Sequence, residues 1–290
     1  MEIFIVKTAG FCFGVKRAIN MAYDAAGTAS GGDIYTIGPI IHNPQVVSKL
    51  EESNIHTAEN ISNIKNGTVI VRSHGITSRE MRGIREKDLN MVDATCPFVK
   101  KAQEYVERLS KDGYFIVVVG EKEHPEVKGI VSYANKNICI AGSVDDIKSL
   151  PRVKKMGVVA QTTQSIENLQ AIVSACLKKT NELKVFNTIC NATSVRQNES
   201  TDLAAKVECM IVVGGRNSAN TNRLAEVCRK IQPNTHHIEI AAELKPEWFK
   251  EVGKVGITAG ASTPDWIIED VVAKVRNMNL YAEAGESVKE

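Results

Sequence analysis

The sequence lacks an apolar run near the ~20 residues that a membrane-spanning helix needs, and its N-terminus has no signal-peptide segment beyond a strand-sized apolar run at 3–6. It has no basic stripe either, because 36 Lys and Arg against 34 Asp and Glu leave a net charge of +2. Close CxxC pairs and Gly-rich phosphate loops are also missing. We therefore expect no membrane partner, no nucleic-acid partner and no dinucleotide fold.

What is present is the composition of a globular protein with room for two or three cores: 290 residues, 43% hydrophobic and 24% charged. Seven cysteines form an odd set without a secreted framework, which predicts a reducing cytoplasm. Short β-branched runs alternate with helical periods, which predicts an α/β protein with small parallel sheets. Predicted strands are 3–6, 34–37, 55–57, 69–71, 91–93, 115–119, 138–140, 157–160, 184–188, 210–213, 237–240 and 255–258. Helical periods include 98–109, 203–207, 223–231 and 266–275.

Three cysteines, Cys12, Cys96 and Cys190, each follow a short apolar strand and precede a helix. They are far apart in sequence, so only a fold that gathers separate strand ends could use them together. Converging thiolates are what a metal or iron–sulfur site requires. The other four lie within apolar strands or helices and are expected to be buried, inert thiols: Cys139, Cys176, Cys209 and Cys228.

Other motifs recur with these cysteines in three copies. A His or Ser lies four residues after a strand-ending glycine, at His42, His124 and Ser218. A second polar motif follows a later strand, at Arg72-Ser73-His74-Gly75, Gln161-Thr162-Thr163 and Gly260-Ala261-Ser262-Thr263. The third copy has no cysteine after Ser262, and its missing strand and cysteine are found at the N-terminus. This is a circularly offset threefold repeat, too long for a solenoid unit of roughly 20–50 residues and suited to a small α/β lobe.

The repeat predicts one shared anion site at the carboxyl ends of parallel strands. Histidines at matched positions, with serine and asparagine donors and helix N-termini, suit a diphosphate; the candidates are His42, His74, His124, Ser218, Asn220 and Ser262. Glu126 is either a proton donor at the site or a solvated residue at a helix start. Thr162 is an ordinary strand-end threonine unless the site converges there.

The repeat also divides the chain. We expect a first α/β lobe at 14–96, a second at 97–190, and a third made of 191–281 plus 1–13. The polar stretch 282–290 is expected to be a flexible tail.

Together these motifs resemble the 4-hydroxy-3-methylbut-2-enyl diphosphate reductase family, over nearly the whole chain from Glu2 to about Asn279. The carrying motifs are Gly10-Phe11-Cys12-Phe13-Gly14-Val15, Gly38-Pro39-Ile40-Ile41-His42-Asn43, Arg72-Ser73-His74-Gly75, Asp93-Ala94-Thr95-Cys96-Pro97, Glu123-His124-Pro125-Glu126, Gln161-Thr162-Thr163 and Asn217-Ser218-Ala219-Asn220. The resemblance implies a trefoil of three α/β lobes around a central [4Fe–4S] cluster. It implies three Cys ligands, Cys12, Cys96 and Cys190, with one iron open to substrate.

The resemblance also implies a reaction, the last step of non-mevalonate isoprenoid precursor synthesis. A two-electron reductive dehydroxylation would give isopentenyl and dimethylallyl diphosphate, with reduced ferredoxin or flavodoxin as the electron donor. Glu126 matches the proton source and Thr162 the hydroxyl-positioning residue. The matching diphosphate anchors are His42, His74, His124, Ser218, Asn220 and Ser262. Where the family commonly has Ser-Ser-Asn, this chain has Ala219 in the middle and lacks one hydroxyl donor.

Two other classes of protein stay open at this point. One is a zinc protein that uses three cysteines and a histidine structurally; metal analysis would separate colourless zinc from brown iron with sulfide. The other is a sugar- or nucleotide-binding module in which the cysteines are incidental. Oxygen-sensitive visible absorbance would exclude that module.

Overall fold

The computed structural model describes residues 1–28 and 32–286, in which strands and helices alternate. The strands are β1 (Glu2–Ile5), β2 (Ile34–Ile37), β3 (Ile55–Ala58), β4 (Thr68–Val71), β5 (Asn90–Asp93), β6 (Phe115–Val119), β7 (Ile138–Ala141), β8 (Val153–Ala160), β9 (Thr180–Phe186), β10 (Cys209–Val213), β11 (Thr235–Ile238) and β12 (Lys254–Ala259). The helices are α1 (Phe13–Thr28), α2 (Pro44–Glu52), α3 (Ser78–Glu86), α4 (Pro97–Lys111), α5 (Pro125–Val131), α6 (Val144–Lys148), α7 (Ile166–Leu177), α8 (Asn191–Ala204), α9 (Ala219–Ile231) and α10 (Asp265–Glu286). Short 3-10 turns lie at Ile61–Asn63, Ala241–Glu243 and Pro246–Phe249. Within the described part of the chain, no helix combines the length and apolar composition that a membrane crossing requires.

The strands form three four-stranded sheets in which every pairing is parallel. Their orders are β3-β2-β4-β5, β7-β6-β8-β9 and β11-β10-β12-β1. The N-terminal strand therefore takes the place beside β12 that β5 takes beside β4 and β9 beside β8. The predicted α/β class with three small parallel sheets is confirmed, and so is the offset by which the N-terminal strand completes the third sheet.

By compactness, the chain divides into two units. The first unit contains Met1–Cys12, His42–Pro44 and the chain from Asn191 onward, with sheet β11-β10-β12-β1. The second unit contains Phe13–Ile41 and Gln45–Cys190, with the other two sheets. The finer division into lobes at 14–96, 97–190 and 191–281 plus 1–13 stays a prediction.

The central strands of the first unit's sheet, β10 and β12, are buried on both faces, as strands of a parallel sheet flanked by helices should be, whereas the edge strand β1 is partly exposed. Along β10, Ile211 and Val213 pack with Val271 and other residues of α10. Met210 and Val212 face the opposite side and pack with residues of α9 such as Leu224. This two-sided burial explains why the strand is a continuous apolar run that ends abruptly at Gly214.

Local sequence also explains how the helices near the strand ends begin. Pro97 and Pro125 occupy first-turn positions of α4 and α5. Backbone N–H groups at these positions have no partner within the helix, so proline costs no helical hydrogen bond there. Cys96, His124 and Ser218 are the N-cap residues of α4, α5 and α9. The side chains of the last two accept a backbone N–H from the first turn of their helix. The candidate residues therefore lie where strand gives way to helix.

Some sequence-based boundaries differ from the structure. The predicted helical period 203–207 overlaps only the end of α8, because Ala204 closes the helix and Val207 turns into the core that covers β10. Strands β8 and β9 begin at Val153 and Thr180, earlier than predicted. The sequence pattern did not indicate these starts, because the first halves of both strands are polar and partly exposed. Helix α10 continues to Glu286, so 282–286 of the expected flexible tail is helical; 287–290 lies outside the described residues.

Candidate active site

The second unit holds a buried carboxyl, Glu126, against Thr162. Glu126 is in the first turn of α5 and is 2% exposed. Thr162 lies two residues after β8 ends and gives the carboxyl two hydrogen bonds: its N–H donates to Oε1 at 2.7 Å and its hydroxyl donates to Oε2 at 2.9 Å. The side chain is thus fixed in one orientation by backbone and side chain of a single residue.

Burial raises the pKa of Glu126 from its ordinary value of 4.5 to about 7. The two hydrogen bonds from Thr162 lower the pKa, and the negative charge of Glu121 raises it, but the loss of solvation is the largest effect. A carboxyl with a pKa near neutrality carries a proton in a large fraction of molecules and is a suitable general acid. Glu126 is therefore not a solvated residue at a helix start, and its role as the proton donor stays a prediction.

Two imidazoles are linked to Glu126 through its backbone N–H. The backbone N–H of Glu126 donates to Nδ1 of His124 at 3.2 Å, so in the neutral ring the proton is on Nε2, which is the donor. The rings of His124 and His74 meet edge to face, with centroids 5.6 Å apart and planes at 78°. His124 is 7% exposed, and His74 follows β4 by three residues. His124 therefore contacts both the helix turn that carries the buried acid and the ring of His74.

Backbone bonds tie two of the candidate cysteines to the same group. The N–H of Cys96 donates to the carbonyl of Ser73 at 2.9 Å, and the N–H of Cys190 donates to the carbonyl of Thr162 at 2.9 Å. A continuous series of contacts therefore joins the two cysteines. It runs from Cys96 through His74, His124, Glu126 and Thr162 to Cys190. The second unit thus brings together six of the predicted residues: Cys96, Cys190, His74, His124, Glu126 and Thr162.

The first unit holds the remaining five: Cys12, His42, Ser218, Asn220 and Ser262. The N–H of Cys12 donates to the carbonyl of Ala261 at 3.2 Å, and the hydroxyl of Ser262 donates to the carbonyl of His42 at 3.3 Å. Ser262 and Ser218 are 6% and 5% exposed. Contacts therefore join Cys12, His42 and Ser262, and all five residues lie along the rim of the sheet beyond the ends of β10 and β12.

One donor in this rim points to a ligand. Asn220, in the first turn of α9, is 6% exposed, and its Nδ2 is buried without a hydrogen-bond partner in the described part of the chain. Leaving a buried amide donor unpaired costs about 1–3 kcal/mol. A bound anion at the positive end of α9 would satisfy that donor.

The same turn closes the three copies of the second motif. An N–H donates to the carbonyl three residues earlier in each: Gly75 to Arg72 at 2.9 Å, Gln164 to Gln161 at 3.1 Å and Thr263 to Gly260 at 3.1 Å. In that register the second copy places Thr163, rather than Thr162, at the position of His74 and Ser262. Thr163 was not among the predicted site residues, although alignment of the three motifs contained the signal.

Gln161 is the second residue that sequence reasoning overlooked. It is fully buried; its Oε1 accepts the N–H of Glu121 at 3.0 Å, and its Nε2 donates to the hydroxyl of Thr163 at 3.1 Å. Because that hydroxyl accepts from the amide, its own proton is left to donate elsewhere. No feature of a single glutamine in sequence would have indicated this.

The seven thiols divide into two groups. Burial raises the pKa of Cys139 and Cys176 to about 11 and that of Cys209 and Cys228 to about 12, which disfavours the thiolate that metals bind. The other three are partly exposed and directly precede or cap a helix start, where the helix dipole favours negative charge; they are Cys12, Cys96 and Cys190. Their donor chemistry fits a thiolate-held iron–sulfur group. That of the other four does not, although Cys139, which was expected to be buried, is partly exposed in β7.

With this geometry established, comparison with known proteins identifies the family. The model of the family described as LytB protein matches residues 3–276. The chain belongs to the LytB family. The family resemblance expected from the motifs is therefore confirmed.

Relatives of this LytB family chain match it over most of its length. It is 58% identical over 279 residues to the 4-hydroxy-3-methylbut-2-enyl diphosphate reductase of Geotalea uraniireducens, covering 96% of this chain and 98% of the relative. The protein of the same name from Geobacter metallireducens is 57% identical with the same coverage.

Solved structures in the LytB family have the same fold. A structure of (E)-4-hydroxy-3-methyl-but-2-enyl diphosphate reductase, the terminal enzyme of the non-mevalonate pathway, is 46% identical with a TM-score of 0.71, covering 96% of this chain and 100% of that one. The Plasmodium falciparum reductase structure is 29% identical with a TM-score of 0.88, covering 94% and 87%. The predicted fold class agrees with both.

Proposed function

We propose that this chain reduces 4-hydroxy-3-methylbut-2-enyl diphosphate to isopentenyl diphosphate and dimethylallyl diphosphate, the last step of non-mevalonate isoprenoid precursor synthesis. The substrate takes up two electrons and two protons. Its allylic C–O bond breaks, one proton leaves with the hydroxyl as water, and the other forms the new C–H bond. The observation that carries the proposal is the buried Glu126–Thr162 pair, connected on one side to Cys190 and on the other to His124.

Three cysteines would hold the redox group, a [4Fe–4S] cluster with one iron open to substrate: Cys12, Cys96 and Cys190. When bound, such a cluster supplies electrons and a Lewis-acidic iron for the leaving oxygen. Support comes from the division of the thiols, because these three are partly exposed at helix starts, while burial raises the pKa values of the other four, of which only Cys139 is partly exposed.

The diphosphate is held by donors and not by a glycine-rich loop. The anchors are His42, His74, His124, Ser218, Asn220 and Ser262. The buried Nδ2 of Asn220 and the Nε2 donor of His124 both suit phosphate oxygens, and helices α5 and α9 begin beside them. Ala219 offers no hydroxyl but keeps a backbone N–H at the start of α9.

Glu126 serves the reacting end of the substrate. With a pKa near 7 it carries a proton to the leaving hydroxyl, and Thr162 holds the carboxyl in place and orients that hydroxyl. An ionised carboxylate beside a diphosphate would be repelled, so we assign the carboxyl of Glu126 to the hydroxyl end of the substrate, although the backbone N–H of Glu126 is bonded to the anchor His124. Reduced ferredoxin or flavodoxin in the cytoplasm supplies the two electrons.

The test is conversion of the substrate by anaerobically purified protein. The protein is assayed for iron, sulfide and visible absorbance, then mixed with substrate and chemically reduced methyl viologen, and the products are separated by chromatography. We expect about four irons and sulfides per chain and both isoprenoid diphosphates. Colourless protein that binds zinc, or protein with a full cluster that leaves the substrate unchanged, would contradict the proposal.

A further inference from the structure

Arg196 is a buried charged residue that the proposed chemistry does not use. It lies in α8 and is 3% exposed. Its Nε donates to the carbonyl of Thr8 at 2.7 Å, and its Nη2 donates to the carbonyl of Gly10 at 2.7 Å. A guanidinium is costly to bury, and its planar fork is well suited to bridge two acceptors. Such a residue in the first unit requires a reason beyond helix packing.

The segment that Arg196 binds leads directly into Cys12. It leaves β1 at Ile5, and its other side is held by Glu199, whose Oε2 accepts the N–H of Thr8 at 3.1 Å and the hydroxyl of Thr8 at 2.8 Å. Arginine thus binds the carbonyls of the segment while glutamate binds its donors. Both side chains project from one helix, so the segment is fixed to α8 at several backbone and side-chain atoms.

The conformation of the segment at Gly10 depends on this support. Gly10 has φ +100°, in the region that favours glycine, and a Cβ there would lie 3.0 Å from Oδ1 of Asp265 and 3.3 Å from Cδ1 of Ile268. The backbone is therefore pressed against α10 on one side, and Arg196 binds the carbonyl of Gly10 itself. The next fixed atom is the N–H of Cys12, which donates to Ala261.

We propose that Arg196 is a positioning residue for the iron–sulfur site: it fixes the 8–10 segment, so that the thiolate of Cys12 is presented in one geometry, and it places a permanent positive charge at the carbonyl of Gly10, two residues before that ligand. The inference rests on the proposed function for the identity of the bound group. Groups that support metal ligands typically change affinity 10–100-fold when altered. A nearby positive charge also favours the more negative, reduced state of a thiolate-held cluster and so raises its reduction potential.

The positioning role is tested first without the cluster. Hydrogen–deuterium exchange, followed by mass spectrometry of peptides that cover residues 6–12, compares the cluster-free wild-type chain with Arg196→Gln, Arg196→Lys and Arg276→Gln. Arg276 is an exposed arginine on α10 and serves as the matched control. We expect exchange in this segment to rise about 10-fold or more in Arg196→Gln, to rise less in Arg196→Lys, and to stay unchanged in the control. Unchanged exchange in both Arg196 variants would overturn the role.

The second test uses the cluster-loaded chains. Iron loss to a chelator should be about 10-fold faster in Arg196→Gln and in Arg196→Lys than in wild type, because an ammonium cannot bridge both carbonyls. The reduction potential should fall in Arg196→Gln but be retained in Arg196→Lys, which keeps the charge. Loss rates and potentials equal to those of Arg276→Gln would contradict the inference.

A wild-type chain that takes up no iron and sulfide would instead reject the proposed function, while the exchange measurement still decides whether Arg196 fixes the segment. If Arg196→Gln does not fold, Arg196→Lys decides alone. Faster exchange at 6–12 and faster iron loss than in the control then support the role, and wild-type values for both overturn it.

Discussion

Glu126 and Thr162 are joined by two hydrogen bonds, at 2.7 Å from the backbone N–H and 2.9 Å from the hydroxyl, and the carbonyl of Thr162 accepts the N–H of Cys190. One residue therefore contacts the proposed proton donor with its N–H and side chain and a proposed cluster ligand with its carbonyl. The position of the acid is thereby set by the same strand end that positions the thiol. A displacement of Thr162 would change both at once.

The raised pKa of Glu126 makes the stability of the cluster-free chain depend on pH. The folded pKa, about 7, lies above the unfolded value near 4.5, so the folded state binds the proton more tightly between these values. Stability from this group is present below the unfolded pKa and is lost as pH rises through about 7. At about 1.4 kcal/mol per pKa unit, the wild-type chain should lose about 2–3 kcal/mol more than Glu126→Gln between pH 5 and pH 8.

Urea unfolding at the two pH values measures this difference. Glu126→Gln keeps the size of the side chain and an oxygen to accept from Thr162, but it cannot ionise. Glu123→Gln is the matched control, because Glu123 is an exposed acid that pairs with Lys128. If the free energy of unfolding falls by the same amount between pH 5 and pH 8 in wild type and Glu126→Gln, the carboxyl is not held neutral by burial.

Asn220 should affect binding and stability in opposite directions. Its buried, unpaired Nδ2 weakens the ligand-free chain, so Asn220→Leu should leave the free energy of unfolding unchanged or raise it by up to about 1 kcal/mol. Affinity for the diphosphate should fall about 10-fold or more. Asn222 is the control, because its amide already donates to the carbonyl of Arg216 at 2.8 Å. Calorimetric titration with the substrate, together with thermal unfolding, tests both effects; a destabilised Asn220→Leu with normal affinity would refute the role.

His74 should contribute more to affinity than to chemistry. Its ring lies against His124, and His74→Ala removes a donor to the bound anion, which is worth about 1.5–3 kcal/mol when charged. We expect the dissociation constant of the substrate to rise roughly 10- to 100-fold, with a smaller change in the rate for bound substrate. His56→Ala, an exposed histidine in β3, should change neither. Equal affinities in the two variants would remove His74 from the binding set.

The division of the cysteines is tested by iron content. Cys96→Ser should abolish cluster retention, because two thiolates hold a cubane poorly. Cys176→Ser should keep nearly all of its iron, because Cys176 is in α7, is fully buried in the core and is not at a strand end. Anaerobic reconstitution followed by iron and sulfide analysis compares them. Iron loss in Cys176→Ser as complete as in Cys96→Ser would invalidate the assignment.

The sheets could be predicted because their signal is local. Each strand is a short β-branched run, so all twelve predicted strands overlap observed ones, and the repeat of motifs indicated that the N-terminal strand completes the third sheet. Polar first halves, as in β8 with Lys154 and Lys155, hid the strand starts. Val207 was assigned to a helix because an apolar residue before a strand has the same local appearance as the end of an amphipathic helix.

Only part of the candidate site could be predicted from the sequence. Positions such as Cys96 and His124 could be named from motif spacing, but the chemical state of Glu126 depends on burial, which no local pattern reports. Gln161 and Arg196 were overlooked for the same reason, since their roles come from backbone atoms that are distant in sequence.

The most direct test of the account is the single-turnover rate of bound substrate as a function of pH, measured anaerobically in wild type and Glu126→Gln. Because the protonated carboxyl is the proposed acid, the wild-type rate should fall as pH rises through about 7. Glu126→Gln should bind substrate normally, turn over about 10²–10⁴-fold more slowly, and lose that pH dependence. A Glu126→Gln variant that turns over at the wild-type rate, or that loses binding while bound substrate reacts normally, would contradict the account.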